Sequence, residues 1–190
     1  MEQVQGVISV AGRRQVLKPE ECYSGFKCAV KGEDELGCEA GENCVCLQFA
    51  AHSKNESFAR MVAAAYVAQL NPTLEELADI KTAVSEAVTN AVIHGYGDGD
   101  GVIFMRFDIA GSEICIEVED WGMGIADIMA AMEPMYTTRP DMERSGMGFA
   151  FMEAFMDELE VHSLKNCGTF VRMRKKIGGG ASALEGESPA

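Results

Sequence analysis

Residues 112–119 alternate between apolar and polar side chains, and this pattern constrains the fold more than any other. The two isoleucines and the valine fall on one side of a strand, and the cysteine and glutamates between them fall on the other. A tight Ala110-Gly111 turn joins this strand to another predicted over residues 102–109. A strand with one apolar face predicts a sheet that packs on helices on one side and is more polar on the other.

Two predicted helices with their own start signals precede these strands. Residues 53–56 and residues 73–76 each have the spacing of a capping box, and Asn71-Pro72 separates the two segments. We therefore expect a first helix that ends near Leu70 and a second that follows Thr73. The apolar face of the second helix consists of Leu77, Ile80, Val84, Ala87 and Ala91.

The remaining elements are less regular. Residues 125–145 hold methionines, threonines and prolines without a clear period, which is typical of an insertion that serves as a mobile lid. The other predicted elements are a strand over 47–50, a helix over 148–157, and strands over 159–163 and 169–174 with a hinge at 166–168.

The chain of 190 residues has room for one compact domain with tails. Residues 1–46 lack sustained periodicity apart from a short apolar run at 7–10, and we expect them to be a poorly ordered extension. The domain is predicted over residues 47–177. Residues 178–190 are rich in Gly, Ser and Glu, which predicts a disordered tail.

The net charge of −14 argues against a nucleic-acid-binding surface, because phosphate binding requires a basic footprint, and favours a basic protein partner. The sequence has neither an apolar run of membrane-spanning length nor a signal-peptide pattern, so we expect a cytoplasmic protein.

Five of the seven cysteines precede residue 47. Their gaps do not fit the ligand spacing of ordinary zinc sites, so we expect reduced, unpaired thiols there. Cys115 and Cys167 lie in or beside predicted strands, where a cysteine is usually a small buried hydrophobic residue.

The second helix also carries a polar stripe. Glu86, Asn90 and His94 follow one another at four-residue steps, which drift by only about 40° per step around a helix. The amide oxygen of Asn90 is a suitable Mg²⁺ ligand, and the Glu86 carboxylate could accept a proton from an attacking hydroxyl. Alternatively, these side chains only solvate an exposed face, and His94 is a structural hydrogen-bonding residue.

Two glycine-containing motifs follow. Asp120 ends the alternating strand and is followed by Gly122 and Gly124, while Gly146 and Gly148 lie at a predicted helix start, where free N–H groups can receive phosphate. Each motif alone is equally consistent with a tight turn. With the polar stripe they indicate a nucleotide pocket, in which a purine amino group would donate to Asp120. The sequence lacks a P-loop, a dinucleotide fingerprint and the protein-kinase motifs.

In order and spacing, these motifs and the late Gly168-Thr169 pair resemble the four sequence boxes of the GHKL ATPase/kinase superfamily. Within it, residues 55–60, 85–90, 136–140 and 143–149 closely resemble the sporulation anti-sigma F factor family. The similarity covers residues 47–177. It implies an α/β fold of the Bergerat type: a two-layer sandwich with a mostly antiparallel sheet, helices on one face and an ATP lid over residues 133–148.

The resemblance also implies ATP, Mg²⁺ and the roles of individual residues. Glu86 is the expected general base, Asn90 the Mg²⁺ ligand, and Arg144 a catalytic cation that stabilises charge on the transferring phosphoryl group. Asp120 is expected to bind adenine with help from Thr169, and Arg60 to lie on the partner-binding surface. The nucleotide-binding residues implied are Asn90, His94, Asp120, Gly122, Gly124, Thr137, Thr138, Ser145, Gly146, Met147, Gly148 and Thr169.

By this resemblance the chain is expected to hold sigma F inactive, to phosphorylate a serine of an anti-anti-sigma protein, and to act as a homodimer. Two alternatives remain: a stress-response anti-sigma serine kinase of the same superfamily, and a nucleotide-dependent binding module without kinase activity. Trp121 departs from the family pattern, and we expect it to cover the turn rather than the nucleotide. The extension before Leu47 has no family counterpart, which suggests initiation at Val45 or a nearby codon.

Overall fold

The computed structural model describes residues 5–11, 13–17, 43–97, 99–135 and 146–178. Its sheet has seven strands in the order β2-β1-β6-β7-β5-β4-β3, and all pairings among these strands are antiparallel. The strands are β1 (Gln5–Val10), β2 (Arg13–Val16), β3 (Cys44–Ala50), β4 (Val102–Ala110), β5 (Glu113–Asp120), β6 (Glu158–Leu164) and β7 (Gly168–Lys176). The helices are α1 (Lys54–Val67), α2 (Leu74–Asn90), α3 (Ile128–Ala131) and α4 (Gly148–Phe155).

The two faces of the sheet differ as the alternation in β5 predicts. Ile114, Ile116 and Val118 are buried in the core between the sheet and the helices. On the opposite face, Arg172 of β7 donates to Glu117 of β5 and to Glu160 of β6, each at 2.8 Å. The apolar pattern therefore sets which side of the sheet α1, α2 and α4 cover.

Only one of the two predicted capping boxes forms. Thr73 accepts from the Glu76 backbone N–H at 3.2 Å, and Glu76 accepts from the Thr73 backbone N–H at 2.7 Å, so α2 begins as predicted. Ser53 has a helical backbone conformation and makes no side-chain cap bond. The Glu56 side chain instead accepts from the Ser85 hydroxyl on α2, because the packing of α1 against α2 brings these groups together.

The expectation of a poorly ordered extension is wrong for residues 44–46, which begin β3 and pair with β4, and for residues 5–10 and 13–16. Residues 5–10 and 13–16 form an N-terminal hairpin, defined here as β1 and β2, and β1 pairs with β6 over six positions. The physical reason is that an edge strand offers unpaired backbone groups, and Val7 of the short apolar run gains burial there. Most of the remaining extension, residues 18–42, lies outside the described residues, as does the predicted tail from residue 179.

Two smaller differences concern α3 and the cysteines. The short helix α3 interrupts the segment that we expected to be irregular, and Asp127 caps it by accepting from the Ala130 N–H at 3.0 Å. Cys46 is in a disulfide bond, so the expectation of a reduced thiol is wrong at this position. Cys167 is buried as expected, and it too is in a disulfide bond. The free thiol of Cys115 is half-buried, which raises its pKa.

Candidate functional site

A cavity of about 380 Å³ opens between α2, α4 and one end of the sheet at β5 and β7. This volume lies within the usual range for a small-molecule site. Nine of the residues singled out from the sequence line it: Glu86, Asn90, His94, Asp120, Gly124, Gly146, Met147, Gly148 and Thr169. The folding of the chain thus brings the four separate motifs to one place.

At one end of the cavity, α4 begins directly against the polar stripe of α2. A Cβ atom on Gly148 would lie 3.0 Å from Oε2 of Glu86 and 3.2 Å from Oδ1 of Asn90. The backbone of Gly148 therefore approaches both side chains closely, and a larger residue would press on them. The carboxylate and the amide converge on the first turn of α4, whose N–H groups have no partner within the helix.

These two oxygen donors fit Mg²⁺, which usually takes one or two protein ligands and completes its shell with water and phosphate oxygens. Among the described residues, no cluster of three or more His, Cys, Asp or Glu side chains could hold a metal ion by itself. A cation at Glu86 and Asn90 would thus depend on a phosphate-bearing ligand for the rest of its coordination.

At the other end, Asp120 is a buried carboxyl at the end of β5, with only 4% of its surface exposed. Burial raises its pKa to about 7, against the opposing effect of backbone N–H groups of Gly122 and Thr169 that bond to it. The Gly122 N–H donates to Oδ1 at 2.9 Å. A ligand that donates to this carboxylate would replace the water lost on burial.

Close backbone packing encloses Asp120. A π-helical turn, Ala91–Gly95, continues α2, and the carbonyl of Gly95 accepts from the Met123 N–H at 2.8 Å. A Cβ on Gly122 would lie 2.1 Å from that carbonyl oxygen, and a Cβ on Gly168 would lie 1.9 Å from the carbonyl oxygen of Asp120. Gly122 therefore does not line the cavity. Its lack of a side chain lets the loop after β5 approach the end of α2.

A hydroxyl that the sequence analysis did not single out connects this loop to β6 and β7. Ser163 of β6 accepts from the Ile125 N–H at 2.7 Å and lies 3.1 Å from the hydroxyl of Thr169. Its own hydroxyl donates to the carbonyl of Gly168 at 2.7 Å. A lone serine in a strand carries no motif, so the signal for this network lies in the tertiary structure alone.

Several apolar lining residues also escaped the sequence analysis. Met123, Ile125 and Phe149 lie at variable positions within or next to the glycine motifs and line the cavity together with Val118 and Val171. The sequence could have indicated these lining residues, because the residues between and beside the glycines of a binding motif lie close to the ligand when the glycines do. The apolar wall suits a planar base between α2 and the sheet.

Two of the predicted residues lie away from the cavity. Trp121 packs edge-on against Phe104, with ring centroids 4.4 Å apart, and does not line the cavity, which agrees with the expectation that it does not pack on the nucleotide. Arg60 of α1 forms an ion pair with Glu56 at 3.4 Å and does not line the cavity. Thr137, Thr138, Arg144 and Ser145, with most of the predicted lid, lie outside the described residues.

A two-layer sandwich with an oxygen-donor stripe, a buried carboxyl and glycine-rich walls around one cavity defines a GHKL-type ATPase domain. The family of the histidine kinase-like ATPase domain matches residues 49–175. The chain therefore belongs to the histidine kinase-like ATPase family and groups there with the anti-sigma F factors. This confirms the expected fold class, and the domain class itself implies ATP as the ligand.

Curated relatives place the chain within the family. An anti-sigma F factor of Thermoanaerobacter sp. (strain X514) is 60% identical over 132 residues, which cover 70% of this chain and 92% of the relative. Those of Clostridium novyi (strain NT) and Clostridium perfringens (strain SM101 / Type A) are each 56% identical, over 132 and 137 residues. The matches cover 69% and 72% of this chain and 92% and 98% of the two relatives.

None of the helices in the described part of the chain combines the length and the apolar character needed to cross a membrane.

Proposed function

We propose that this protein is a cytoplasmic anti-sigma factor that holds sigma F inactive and uses ATP with Mg²⁺ to phosphorylate a serine of an anti-anti-sigma partner. The observation that carries the kinase part is the convergence of Glu86 and Asn90 on the first turn of α4 inside the cavity. The relatives' name, anti-sigma F factor, supports the sigma-binding part.

In the proposed reaction, Glu86 accepts the proton of the attacking serine hydroxyl, and the N–H groups at the start of α4 bind phosphate oxygens. Asn90 holds the metal ion. When bound, Mg²⁺ neutralises charge on the phosphate oxygens and helps to align the transferred group. Asp120 fixes the base at the far end, so the cavity sets the distance between adenine and the γ-phosphate.

We further propose that Arg144, Thr137, Thr138 and Ser145 contact the phosphates and that Arg60 contacts the protein partners, each from its place in the family motifs. The position of Arg60 on α1, outside the cavity, supports a role in contacting a protein rather than the nucleotide. We expect the protein to act as a homodimer, as the family resemblance implies.

The kinase is tested by transfer of label from γ-labelled ATP, with Mg²⁺, to an anti-anti-sigma protein. We expect Glu86→Gln to reduce transfer by about 10²–10⁴-fold, the usual contribution of a general base, while ATP still binds. Asn90→Ala should abolish transfer and weaken ATP binding in the presence of Mg²⁺. Glu75→Gln is the matched control, because Glu75 is an exposed carboxylate in the first turn of the same helix.

Transfer that survives Glu86→Gln would contradict the assignment of the base. Absence of transfer by the wild type, with ATP bound tightly, would instead favour the nucleotide-dependent binding module. Binding of sigma F is tested separately in the presence of ATP, and Arg60→Ala should weaken it without changing the affinity for ATP. A general-stress sigma factor that bound more tightly than sigma F would favour the stress-response alternative.

A further inference from the structure

Ser163 is fully buried in β6, behind the wall of the nucleotide cavity. It does not line the cavity, whereas its neighbours Ile125 and Thr169 do. Its hydroxyl is placed among three polar groups: the Ile125 N–H at 2.7 Å, the Gly168 carbonyl at 2.7 Å and the Thr169 hydroxyl at 3.1 Å. None of the motifs in the sequence accounts for this arrangement.

The direction of each hydrogen bond follows from the donors available. A backbone N–H can only donate, so Ile125 occupies one lone pair of the Ser163 oxygen. A carbonyl can only accept, so the single proton of Ser163 points to Gly168. The contact between the two hydroxyls is then a hydrogen bond only if Thr169 is the donor.

This assignment fixes what Thr169 offers to a ligand. With its proton directed to Ser163, its oxygen presents only lone pairs to the cavity. Asp120 lies beside it, paired with Thr169 in the sheet register, and the carboxyl already accepts from backbone N–H groups of Gly122 and Thr169. Asp120 and Thr169 form the floor of the cavity, which carries two neighbouring acceptors when Asp120 is ionised.

We propose that Ser163 is a specificity-determining positioning residue, which directs the Thr169 hydroxyl proton away from the cavity so that the floor favours a purine with a 6-amino group over one with a 6-keto group. The inference rests on the proposed binding of a purine triphosphate. It goes beyond that binding, because it assigns part of the base selectivity to a residue that does not touch the base. A 6-amino group offers N–H donors to the two acceptors, whereas a 6-keto oxygen would face them lone pair to lone pair.

The test compares the affinities for ATP and inosine triphosphate (ITP), which carries the keto oxygen at position 6. We expect the wild type to prefer ATP, and Ser163→Ala to lower the ATP-to-ITP affinity ratio by up to about tenfold, the scale of one neutral hydrogen bond. The Thr169 hydroxyl can then rotate and donate to the keto oxygen. A merely structural role would lower both affinities by the same factor and leave the ratio unchanged, which would overturn the proposal.

Thr169→Val provides an independent arm, because it keeps the side-chain shape and leaves Ser163 in place. This variant should lower the affinity for ATP and leave the affinity for ITP unchanged or higher, since it removes an acceptor. In the Thr169→Val background, Ser163→Ala should no longer change the ratio. If Thr169→Val lowered the affinities for ATP and ITP by the same factor, the proposal would be overturned even if Ser163→Ala failed to fold.

The outcomes separate this inference from the proposed function. A wild type that binds neither triphosphate refutes nucleotide binding and the inference together. A wild type that binds ATP but transfers no phosphate refutes the kinase alone. A wild type that binds ATP and ITP equally refutes the selectivity alone.

Discussion

Asp120 is the residue at which burial and ligand binding oppose each other most directly. Its carboxyl has lost water on nearly all sides, and burial raises its pKa to about 7. The unliganded protein therefore holds this group partly protonated near neutral pH. A base that donates a hydrogen bond favours the ionised form, so nucleotide binding should release a proton.

The affinity for ATP should consequently fall as the pH drops below about 7, by up to about tenfold per pH unit. Because the folded-state pKa is raised, Asp120 also contributes stability to the unliganded protein that is present below about pH 4 and lost as the pH rises through about 7. Titration calorimetry in buffers of different ionisation enthalpy measures both the affinity and the proton released.

Asp120→Asn is the matched control for this pH dependence, since it keeps the shape and cannot titrate. Phosphate groups of the nucleotide also titrate near this range, and the variant retains their contribution. An identical pH slope in the wild type and in Asp120→Asn would contradict the assignment to Asp120.

Single residues were visible in the sequence only where they formed part of a repeating or spaced pattern. Glu86 and Asn90 share a helical spacing, and Asp120 precedes two glycines at fixed offsets. Ser163 forms part of no such pattern, because its partners come from the start of β7 and from the loop after β5. Its position depends on the sheet register that brings these segments together.

At the scale of elements, α2 positions the polar stripe, and hydrogen bonds in the first turn of α2 stabilise the start of this helix. Thr73 and Glu76 bond reciprocally there, whereas Ser53 at the start of α1 forms no cap bond despite the same sequence spacing. The sequence predicted both helices and their approximate ends. It could not predict the failed capping box, because Glu56 bonds to a residue on another helix.

Thr73→Ala should lower the free energy of unfolding by about 1 kcal/mol, the usual value of an N-cap side chain. Ser53→Ala has no cap bond to lose and should change it by less than about 0.5 kcal/mol. Denaturant titration of the two variants measures the difference. Equal losses would show that the serine caps α1 in solution.

The π-helical turn after Asn90 also lay beyond sequence reasoning. A stripe at four-residue steps assumes regular helix through His94, but the helix widens at Ala91–Gly95. His94 still lines the cavity, and the carbonyl of Gly95 reaches Met123. The widening is a tertiary effect, since it accompanies the contact between the end of α2 and the glycine loop.

At the scale of the whole molecule, the N-terminal hairpin ties the far edge of the sheet to the walls of the cavity. Arg14 of β2 donates twice to Glu153 of α4, each time at 2.7 Å, and once to the carbonyl of Met132 after α3 at 2.6 Å. Both partners belong to segments that flank the cavity. The sequence showed only the short apolar run, because an arginine without a nearby acidic partner gives no pairing signal.

Arg14→Ala should destabilise the protein by about 2–3 kcal/mol, because it leaves the half-buried Glu153 carboxylate without its bidentate partner. Arg14→Lys should recover only part of this loss, since a single ammonium cannot reproduce the planar fork. Arg13→Ala, at the exposed neighbouring position, is the control and should have little effect. Thermal unfolding of the three variants measures these differences, and equal stability of Arg14→Ala and the wild type would show that the hairpin does not dock in solution.

The docking of β1 on β6 also bears on self-association. Without it, β6 would offer seven residues of open backbone, a length at which strands of separate molecules can join. With it, the outermost strand on that side is β2, which has four residues and two adjacent arginines. A short, charged border resists edge-to-edge growth, so the hairpin should reduce the pairing of separate molecules through this edge of the sheet.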